Sequence, residues 1–415
     1  MKTQVLILFC LFSFMKARAR VIEVGPGKDH NSIQQALAES NPGDTVLVIK
    51  AIYREGNIIV MKPVCLIGTG YPVLDGEGRY EILSIKSDNV IVSGFHIRNS
   101  GQSGMEDYAG IKMYQCKNVL LENNLLDNTF FGIYAQYCNN CVIRYNRIQA
   151  NKKQEQQSGN GIHCWKSDRM MIQGNRVEGH RDGIYFEFVS HSTILKNISV
   201  MNIRYGLHFM FSNDDIYLSN TFRNNGAGVA VMFSSRVKMY RNLFEENWGD
   251  AAYGLLLKEI SDSDIQQNEF VKNTSGIHLE GASRILLLYN TFRSNGWAMR
   301  IQASCMDITV YGNNFNTNSF DVATNGSLVL NRFNGNYWDK YQGYDINRDG
   351  IGDVAYRPVS MYSMITEKNP SAMLLFRSLM ASLLDKTERV LPSLTPENLK
   401  DDFPAMKKIR NDYRH

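Results

Sequence analysis

Three side chains near the middle of the sequence are of types that bind a soft metal ion. His208 and Met210 are two residues apart, and Met232 follows Met210 by 22 residues. An imidazole with two thioethers suits Cu(I) and few other metals, and a thioether binds the ion without losing a proton. The other interpretation is that both methionines are surface apolar residues covered by a loop or a partner. The residues alone leave both interpretations open.

A repeat of about 22 residues would bring these side chains together, because glycine and asparagine recur in phase along the chain. Each repeat also holds two short β-rich runs, and this pattern predicts an all-β solenoid in which one repeat forms one coil. The glycines are Gly110, Gly132, Gly161, Gly183, Gly206, Gly228, Gly254 and Gly276. The asparagines are Asn124, Asn146, Asn175, Asn197, Asn220, Asn242, Asn268, Asn290 and Asn313.

Alternation after each glycine separates the inner from the outer side of the predicted coil. The first and third following residues are apolar and are expected to face the core, whereas the second and fourth face outward. His208 and Met210 would then share an outer face with Met232 of the next coil. His163 and Glu187 lie on the same face one or two coils earlier and are further candidate copper ligands. The asparagines are expected to be structural, since Asn tolerates left-handed backbone and its amide can bond the Asn one coil away.

The two ends of the chain differ from the repeat. Residues 1–19 are predicted to be a signal peptide, with a charged start, an apolar run and a small-residue exit site. Residues 20–109 are predicted to hold the first coils and a capping helix that opens at Ser32, and residues 110–357 the regular solenoid. Residues 358–415 are predicted to form a helical tail outside the solenoid.

Charge and hydropathy exclude two classes of partner. Without residues 1–19 the chain loses three basic residues and no acids, leaving 42 basic against 41 acidic residues and a net charge of +1. This near-neutral balance predicts no nucleic-acid partner. No stretch supplies the roughly 20 apolar residues of a membrane span, so we expect an exported protein that is at most peripheral to a membrane.

Six cysteines follow the predicted signal peptide. Cys116 and Cys138 are one repeat apart and should stack on adjacent coils, where a disulfide is sterically feasible. Cys138 and Cys141 have the spacing of a redox or metal pair, but Cys141 begins a strand. The alternative is two ordinary thiols at a turn.

A second candidate metal site follows the last repeat. The first nine positions of a calcium loop are matched by Asp345, Asn347, Asp349, Ile351 and Asp353, with Gly350 at the turn position. Tyr356 stands where such a loop has its final bidentate glutamate. The other interpretation is a polar turn that closes the last coil.

An enzyme of this architecture would cleave or epimerise acidic polysaccharides. It would need clustered carboxylates, or a basic side chain beside calcium, on one outer face. The face offers only Glu187 and Glu280, four coils and roughly 19 Å apart by strand spacing. Asp182, Asp214 and Asp215 lie at turns and are weaker candidates. A secreted polysaccharide lyase or epimerase, or a carbohydrate-binding β-helix, therefore remains the alternative to a copper protein.

Three stretches of the mature chain resemble the NosD family of periplasmic copper-handling proteins. The first runs from Gly25-Pro26-Gly27 through Ser32-Ile33-Gln34-Gln35-Ala36 to Pro42-Gly43-Asp44-Thr45. The second is Arg204-Tyr205-Gly206-Leu207-His208-Phe209-Met210-Phe211-Ser212-Asn213-Asp214 with Gly228-Val229-Ala230-Val231-Met232. The third is Asn336-Tyr337-Trp338-Asp339, Tyr344-Asp345-Ile346-Asn347-Arg348-Asp349-Gly350-Ile351-Gly352-Asp353 and Tyr356-Arg357-Pro358-Val359. The second and third stretches are the specific ones, because the repeats are common to many β-helices.

The resemblance implies a fold, a function and a set of partners. The implied fold is a right-handed parallel β-helix of the pectin-lyase-like type. The implied role is to receive copper in the periplasm and pass it to apo-nitrous-oxide reductase, without catalysis, together with an ABC transporter of an ATPase and a membrane subunit. The implied copper donor is a lipoprotein chaperone, and residues 358–415 would dock on the membrane subunit. The resemblance favours His208, Met210 and Met232 as ligands but does not complete the ligand set.

Overall fold

A computed structural model of the chain describes residues 19–103, 106–151, 154–249, 252–326, 330–375, 378–390 and 399–410. The predicted signal peptide, apart from its last residue, lies outside these ranges. Within them no helix is long and apolar enough to cross a bilayer.

The repeat folds into a parallel β-helix, as its period predicts. Nearly every coil contributes one short strand to each of three parallel sheets, which have 14, 13 and 12 strands among the described residues. Residues one repeat apart pair in register, such as Ile133 with Ile162 and Ile184 with Leu207. A side chain's position within the repeat therefore determines both its face and its neighbours on the next coil.

The first sheet contains Val21–Val24, Thr45–Ile49, Cys65–Thr69, Ile91–Ser93, Leu120–Glu122, Val142–Arg144, Met171–Gln173, Thr193–Leu195, Ile216–Leu218, Lys238–Tyr240, Ser261–Gln266, Ser283–Leu288, Met306–Tyr311 and Arg332–Asn334. The second contains Ile52–Tyr53, Val73–Asp75, His96–Arg98, Leu125–Asp127, Arg147–Gln149, Arg176–Glu178, Ile198–Val200, Thr221–Arg223, Leu243–Glu245, Glu269–Val271, Thr291–Arg293, Asn314–Asn316 and Tyr337–Trp338. The third, which we call the glycine sheet, contains Ile58–Val60, Leu83–Ile85, Ala109–Tyr114, Phe131–Gln136, Ile162–Trp165, Asp182–Glu187, Tyr205–Met210, Ala227–Met232, Tyr253–Lys258, Ser275–Glu280, Trp297–Ile301 and Phe320–Thr324.

The core is a continuous apolar column inside the coils. The first and third residues after each repeat glycine are buried there, as predicted. Six aromatic rings stack on successive coils with centroids 4.0–5.5 Å apart; they belong to Phe222, Phe244, Phe270, Phe292, Phe315 and Trp338. Because each ring contacts the equivalent ring above and below it, the column packs at the density of a protein interior.

The repeat asparagines form the predicted ladder between the first and second sheets. From Asn124 to Asn336 each side-chain amide donates to the Oδ1 of the next asparagine at 3.0 Å. The expected left-handed backbone, however, lies one residue earlier, for example at Tyr145 with φ 55° and Lys196 with φ 53°. The preceding residue makes the bend, and the asparagine satisfies the buried polar groups that the bend exposes.

A second asparagine ladder, not predicted from the repeat, lies between the second sheet and the glycine sheet. Its side-chain amides bond at 2.9–3.4 Å along Asn202, Asn225, Asn247, Asn273, Asn295 and Asn318. Each member follows a first-ladder asparagine by five residues. This Asn-x-x-x-x-Asn spacing is the sequence pattern from which the second ladder could have been predicted.

The capping helix α1 spans Ile33–Glu39, and Ser32 is its N-cap. The Ser32 hydroxyl accepts from the Gln35 amide at 3.2 Å, as the spacing predicts. The remaining N-terminal donors are satisfied by Glu55, whose carboxylate accepts from the amides of Ile33 and Gln34 at 2.8 and 3.0 Å. A carboxylate from a neighbouring coil therefore completes the cap, where a capping box would use the Gln35 side chain.

The C-terminal region contains more than one helix, and part of it returns to the solenoid. Helix α2 spans Met361–Lys368, a 3₁₀ turn Pro370–Leu375 and helix α3 Leu379–Val390. The prediction that everything after residue 357 lies outside the solenoid is wrong for residues 399–410. There Asp401 is fully buried and accepts from the Gly335 and Asn336 amides, the Asn336 side chain and the Trp338 indole at 2.9–3.0 Å. Asp401 thus ends the first asparagine ladder.

Replacing Asp401 with alanine is expected to lower the free energy of unfolding by about 3 kcal/mol, since several buried donors lose their acceptor. Asp401→Asn should recover much of this loss, because an amide oxygen fills the same role on every other rung. Urea denaturation followed by circular dichroism measures the effect. Asp402→Ala, at a neighbouring carboxylate whose side chain is 51% exposed, is the control. Equal denaturation midpoints for Asp401→Ala and the wild type would contradict this role.

All six cysteines in the described part of the chain are free thiols. Cys116 and Cys138 do stack on adjacent coils, but each Sγ donates to a backbone carbonyl, and the disulfide that their spacing allows is not formed. Cys141 is also buried and donates to the carbonyl of Asn139. The structure thus favours ordinary thiols at a turn over a redox or metal pair.

Candidate metal centre

Two columns of side chains leave the outer face of the glycine sheet. The column of second residues contains Tyr134, His163, Tyr185, His208, Ala230 and Leu256, which pair in this order on successive strands. The column of fourth residues contains Gln136, Trp165, Glu187, Met210, Met232 and Lys258. Both columns point away from the core, as predicted. Only the column of fourth residues is accessible along its length.

The column of second residues is buried although it lies outside the coils, except for Tyr185, which is partly exposed. His163 and His208 are 7% and 6% exposed. The rings of Tyr134, His163, Tyr185 and His208 stack with centroids 4.5–4.7 Å apart. Phe131 covers the start of this stack, with its ring centroid 5.4 Å from that of Tyr134. The sequence indicated the direction of these side chains but not that other residues would cover them.

The column of fourth residues places the two candidate thioethers side by side. Met210 and Met232 are register partners on adjacent strands, and both are partly exposed. Glu187 is the register partner of Met210 on the preceding coil. The Tyr185 hydroxyl lies 3.6 Å from the Met210 sulfur, within range of a hydrogen bond to sulfur. The structure therefore brings Met210 and Met232 together, with His208 two residues along the strand from Met210.

The imidazole of His208 is buried without a hydrogen-bond partner on either ring nitrogen. Its Nδ1 lies 3.6 Å from the Asp182 carboxylate, which is itself fully buried. Arg204 donates to both oxygens of Asp182, at 2.9 and 2.5 Å. Burial acts to raise the pKa of Asp182, but the bonds from Arg204 and the proximity of His208 outweigh it, so that this pKa is lowered. Asp182 is therefore an anion facing His208.

The structure does not place His163 beside the two methionines. It lies between Tyr134 and Tyr185, and Tyr185 separates it from His208. Burial lowers the pKa of His163 to about 3, and both ring nitrogens lack hydrogen-bond partners. His163 is a neutral member of the aromatic stack, two coils before the strand of His208.

The donors at this site fit a soft monovalent metal better than a hard one. In the described ranges no three His, Cys, Asp or Glu side chains converge as metal ligands, so a site here needs the thioethers of Met210 and Met232. These sulfurs and an imidazole nitrogen match Cu(I). The His208 nitrogens also have no hydrogen bond to give up, and an unpartnered buried nitrogen is otherwise a cost to folding. A metal ion bound to His208 would remove this cost.

The predicted calcium loop is an exposed turn with internal hydrogen bonds. The Asp345 carboxylate accepts from the amides of Asp349 and Gly350 at 3.1 and 2.9 Å, and Asp353 accepts from the Ile346 amide at 2.7 Å. Gly350 has a φ of 86°, which a turn residue in this place requires. These bonds explain the turn with or without an ion, so calcium binding stays a prediction.

The carboxylates proposed for the alternative enzyme do not come together. Glu187 and Glu280 are separated by four strand pairings, and Glu280 is ion-paired with Lys258 at 3.0 Å. Asp214 is paired with Arg236 at an exposed turn. Asp215 is buried, and burial raises its pKa well above the ordinary value. No two of these groups form the acid and base of a glycosidase.

Comparison with known proteins gives a consistent family signal. A family described as "Periplasmic copper-binding protein (NosD)" matches residues 151–343, and one described as "Right handed beta helix region" matches residues 73–159. The chain is 28% identical over 372 residues to a probable ABC transporter binding protein NosD of Pseudomonas aeruginosa, covering 85% of this chain and 86% of the relative. It is 27% identical over 374 residues to the protein of the same name from Stutzerimonas stutzeri, covering 85% of both.

Solved structures share the fold at low sequence identity. A family PL6 alginate lyase in complex with a trisaccharide superposes with a TM-score of 0.59 at 12% identity, covering 77% of this chain and 85% of the lyase. The surface adhesin PfbA of Streptococcus pneumoniae superposes with a TM-score of 0.54 at 15% identity, covering 70% and 89%. A lyase and an adhesin on one architecture show that the fold alone does not indicate function.

Proposed function

We propose that this chain is a member of the NosD family, binds Cu(I) through His208, Met210 and Met232, and carries it in the periplasm for the assembly of nitrous-oxide reductase. The observation that carries the proposal is the pairing of two partly exposed methionines beside a buried histidine with no hydrogen-bond partner. The family's description as periplasmic and copper-binding supports the metal and the compartment. Glu187, the register neighbour of Met210, and the more distant His163 are weaker candidates for an additional ligand.

Cu(I) titration under anaerobic, reducing conditions tests this function. The expected result is one Cu(I) per chain held against a chromophoric chelator, with both sulfur and nitrogen neighbours in X-ray absorption. Failure to retain Cu(I), or coordination by nitrogen and oxygen alone, would rule out the site. The same preparation should leave alginate and pectin intact; turnover of either would favour the lyase or epimerase alternative.

We propose further that the chain works beside an ABC transporter as a peripheral protein, with its C-terminal helices on the membrane subunit. The names of both relatives support an ABC transporter as partner. The helices supply an apolar surface, since Leu374, Leu379, Met380 and Leu383 are 56–90% exposed. Leu379 and Leu383 lie one turn apart on the same face of α3. The ATPase, the lipoprotein copper chaperone and the apo-reductase complete the proposed set of partners.

Substituting glutamate at both Leu379 and Leu383 is expected to prevent co-purification with the transporter subunits, because two charges would enter an apolar contact. Cu(I) affinity should not change, since α3 lies outside the glycine sheet. Met306→Glu, which places a charge at another half-exposed apolar site, is the control. Undiminished recovery of the transporter with the double variant would exclude this face as the docking surface.

A further inference from the structure

Several side chains around His208 have no part in the function proposed above. Asp182 is buried beside it, Arg204 holds Asp182 with two hydrogen bonds, and Tyr185 stacks on its ring. None of the three supplies a soft donor. Their arrangement nevertheless affects the tautomer and orientation of the His208 ring and the position of the Met210 sulfur.

Asp182 selects one form of the imidazole. A neutral histidine carries its proton on either nitrogen, and a nearby carboxylate favours the form whose N–H faces it. Nδ1 is the nitrogen 3.6 Å from the Asp182 carboxylate, so Nδ1 is the protonated one and Nε2 keeps the lone pair. In metal sites a carboxylate behind the ligand histidine commonly fixes its tautomer and orientation in this way. Arg204 in turn fixes Asp182, because a carboxylate held by both guanidinium donors cannot rotate.

Tyr185 contacts two of the three proposed ligands. Its ring lies against that of His208 with centroids 4.7 Å apart and an interplanar angle of 22°. Its hydroxyl is 3.6 Å from the Met210 sulfur. One side chain therefore limits the rotation of the imidazole and the position of the thioether.

We infer that Asp182 and Tyr185 are positioning residues that hold His208 and Met210 ready for Cu(I) before the ion arrives. This inference rests on the proposed copper function. In the apo protein His208 has its Nε2 lone pair available, and Tyr185 holds Met210 two residues along the same strand. The ion then binds without the cost of ordering these two side chains.

Asp182→Asn and Tyr185→Phe test the inference by Cu(I) affinity. Asp182→Asn should raise the Kd for Cu(I) about 10- to 100-fold, as the loss of such a carboxylate does in other metal sites. Tyr185→Phe keeps the stacking and loses the contact to sulfur, so we expect an increase of about three- to tenfold. Asp214→Asn, which removes an arginine-paired carboxylate at an exposed turn, and Tyr240→Phe, which removes a hydroxyl bonded to Asp264, are the controls.

The tautomer of His208 provides a readout that general destabilisation does not change. Protein labelled with ¹⁵N-histidine, at a pH where the ring is neutral, should give the pattern of a proton on Nδ1, with the resonance assigned by its loss in His208→Gln. Asp182→Asn should change this pattern, and Asp182→Glu should restore it and most of the affinity. Should Asp182→Asn fail to fold, the wild-type spectrum and Tyr185→Phe still decide the question.

The outcomes separate this inference from the proposed function. A wild type that binds Cu(I) through the methionines, together with Asp182→Asn and Tyr185→Phe that both match its affinity, would overturn the inference alone. A proton on Nε2 of the wild-type His208 would overturn the role of Asp182. A wild type with no Cu(I) affinity would remove the proposed function, and this inference with it.

Discussion

Exchanging both Met210 and Met232 for leucine is expected to weaken Cu(I) binding by on the order of a thousandfold. The change removes two of three ligands, so its effect should exceed the 10- to 100-fold of an outer partner. Leucine has nearly the volume of methionine, and both sites are partly exposed, so the packing cost should be below about 1.5 kcal/mol. The loss of affinity would then result from the loss of the two sulfur ligands and not from a change in the fold.

Competition against a Cu(I) chelator measures this loss, with urea denaturation as the check on folding. Met201→Leu combined with Met306→Leu is the matched control, since it removes two half-exposed thioethers elsewhere on the surface. Each single variant should lose less than the pair, and His208→Gln should weaken binding through the nitrogen ligand. If Met210→Leu/Met232→Leu holds Cu(I) as tightly as the control, the metal lies elsewhere.

The solenoid could be predicted because its information is periodic. One period fixes the coil, the alternation after each glycine fixes the inner and outer faces, and the register places Met232 beside Met210. The period also predicts ion pairs between adjacent coils. Asp182 and Arg204 are 22 residues apart and pair across one coil, as do Asp214 and Arg236. Opposite charges spaced by one repeat could therefore have predicted the ion pair between Asp182 and Arg204 from the sequence.

The burial of His208 and of the other side chains in the column of second residues could not be predicted in this way. Tyr134 and His163 are covered by Phe131, which belongs to the start of a glycine strand but lies over its outer face. The return of residues 399–410 to the solenoid could not be predicted either, since Asp401 takes a ladder position 65 residues after Asn336. Both depend on contacts outside the period, where sequence spacing carries no information about distance.

Gly228→Ala is expected to be among the most damaging single substitutions in the chain. Gly228 is the second residue of the strand Ala227–Met232. A Cβ at this position would lie 2.3 Å from the carbonyl oxygen of Gly254 on the next coil, closer than real Cβ atoms approach backbone. The coils cannot separate to admit it without breaking the strand pairing between them. We expect a loss of at least about 3 kcal/mol in the free energy of unfolding.

The cost of a Cβ at the glycine position applies to the interior coils and not to the last two strands of the glycine sheet. There the same position is occupied by Ala298 and then Asp321, the register successors of Gly276. Ala298→Gly is therefore the matched control, with an expected loss of about 1 kcal/mol or less from backbone entropy. Urea denaturation and the yield of folded protein compare the two variants. If Gly228→Ala unfolds at the same urea concentration as Ala298→Gly, close contact between coils would not be the reason that the repeat keeps its glycine.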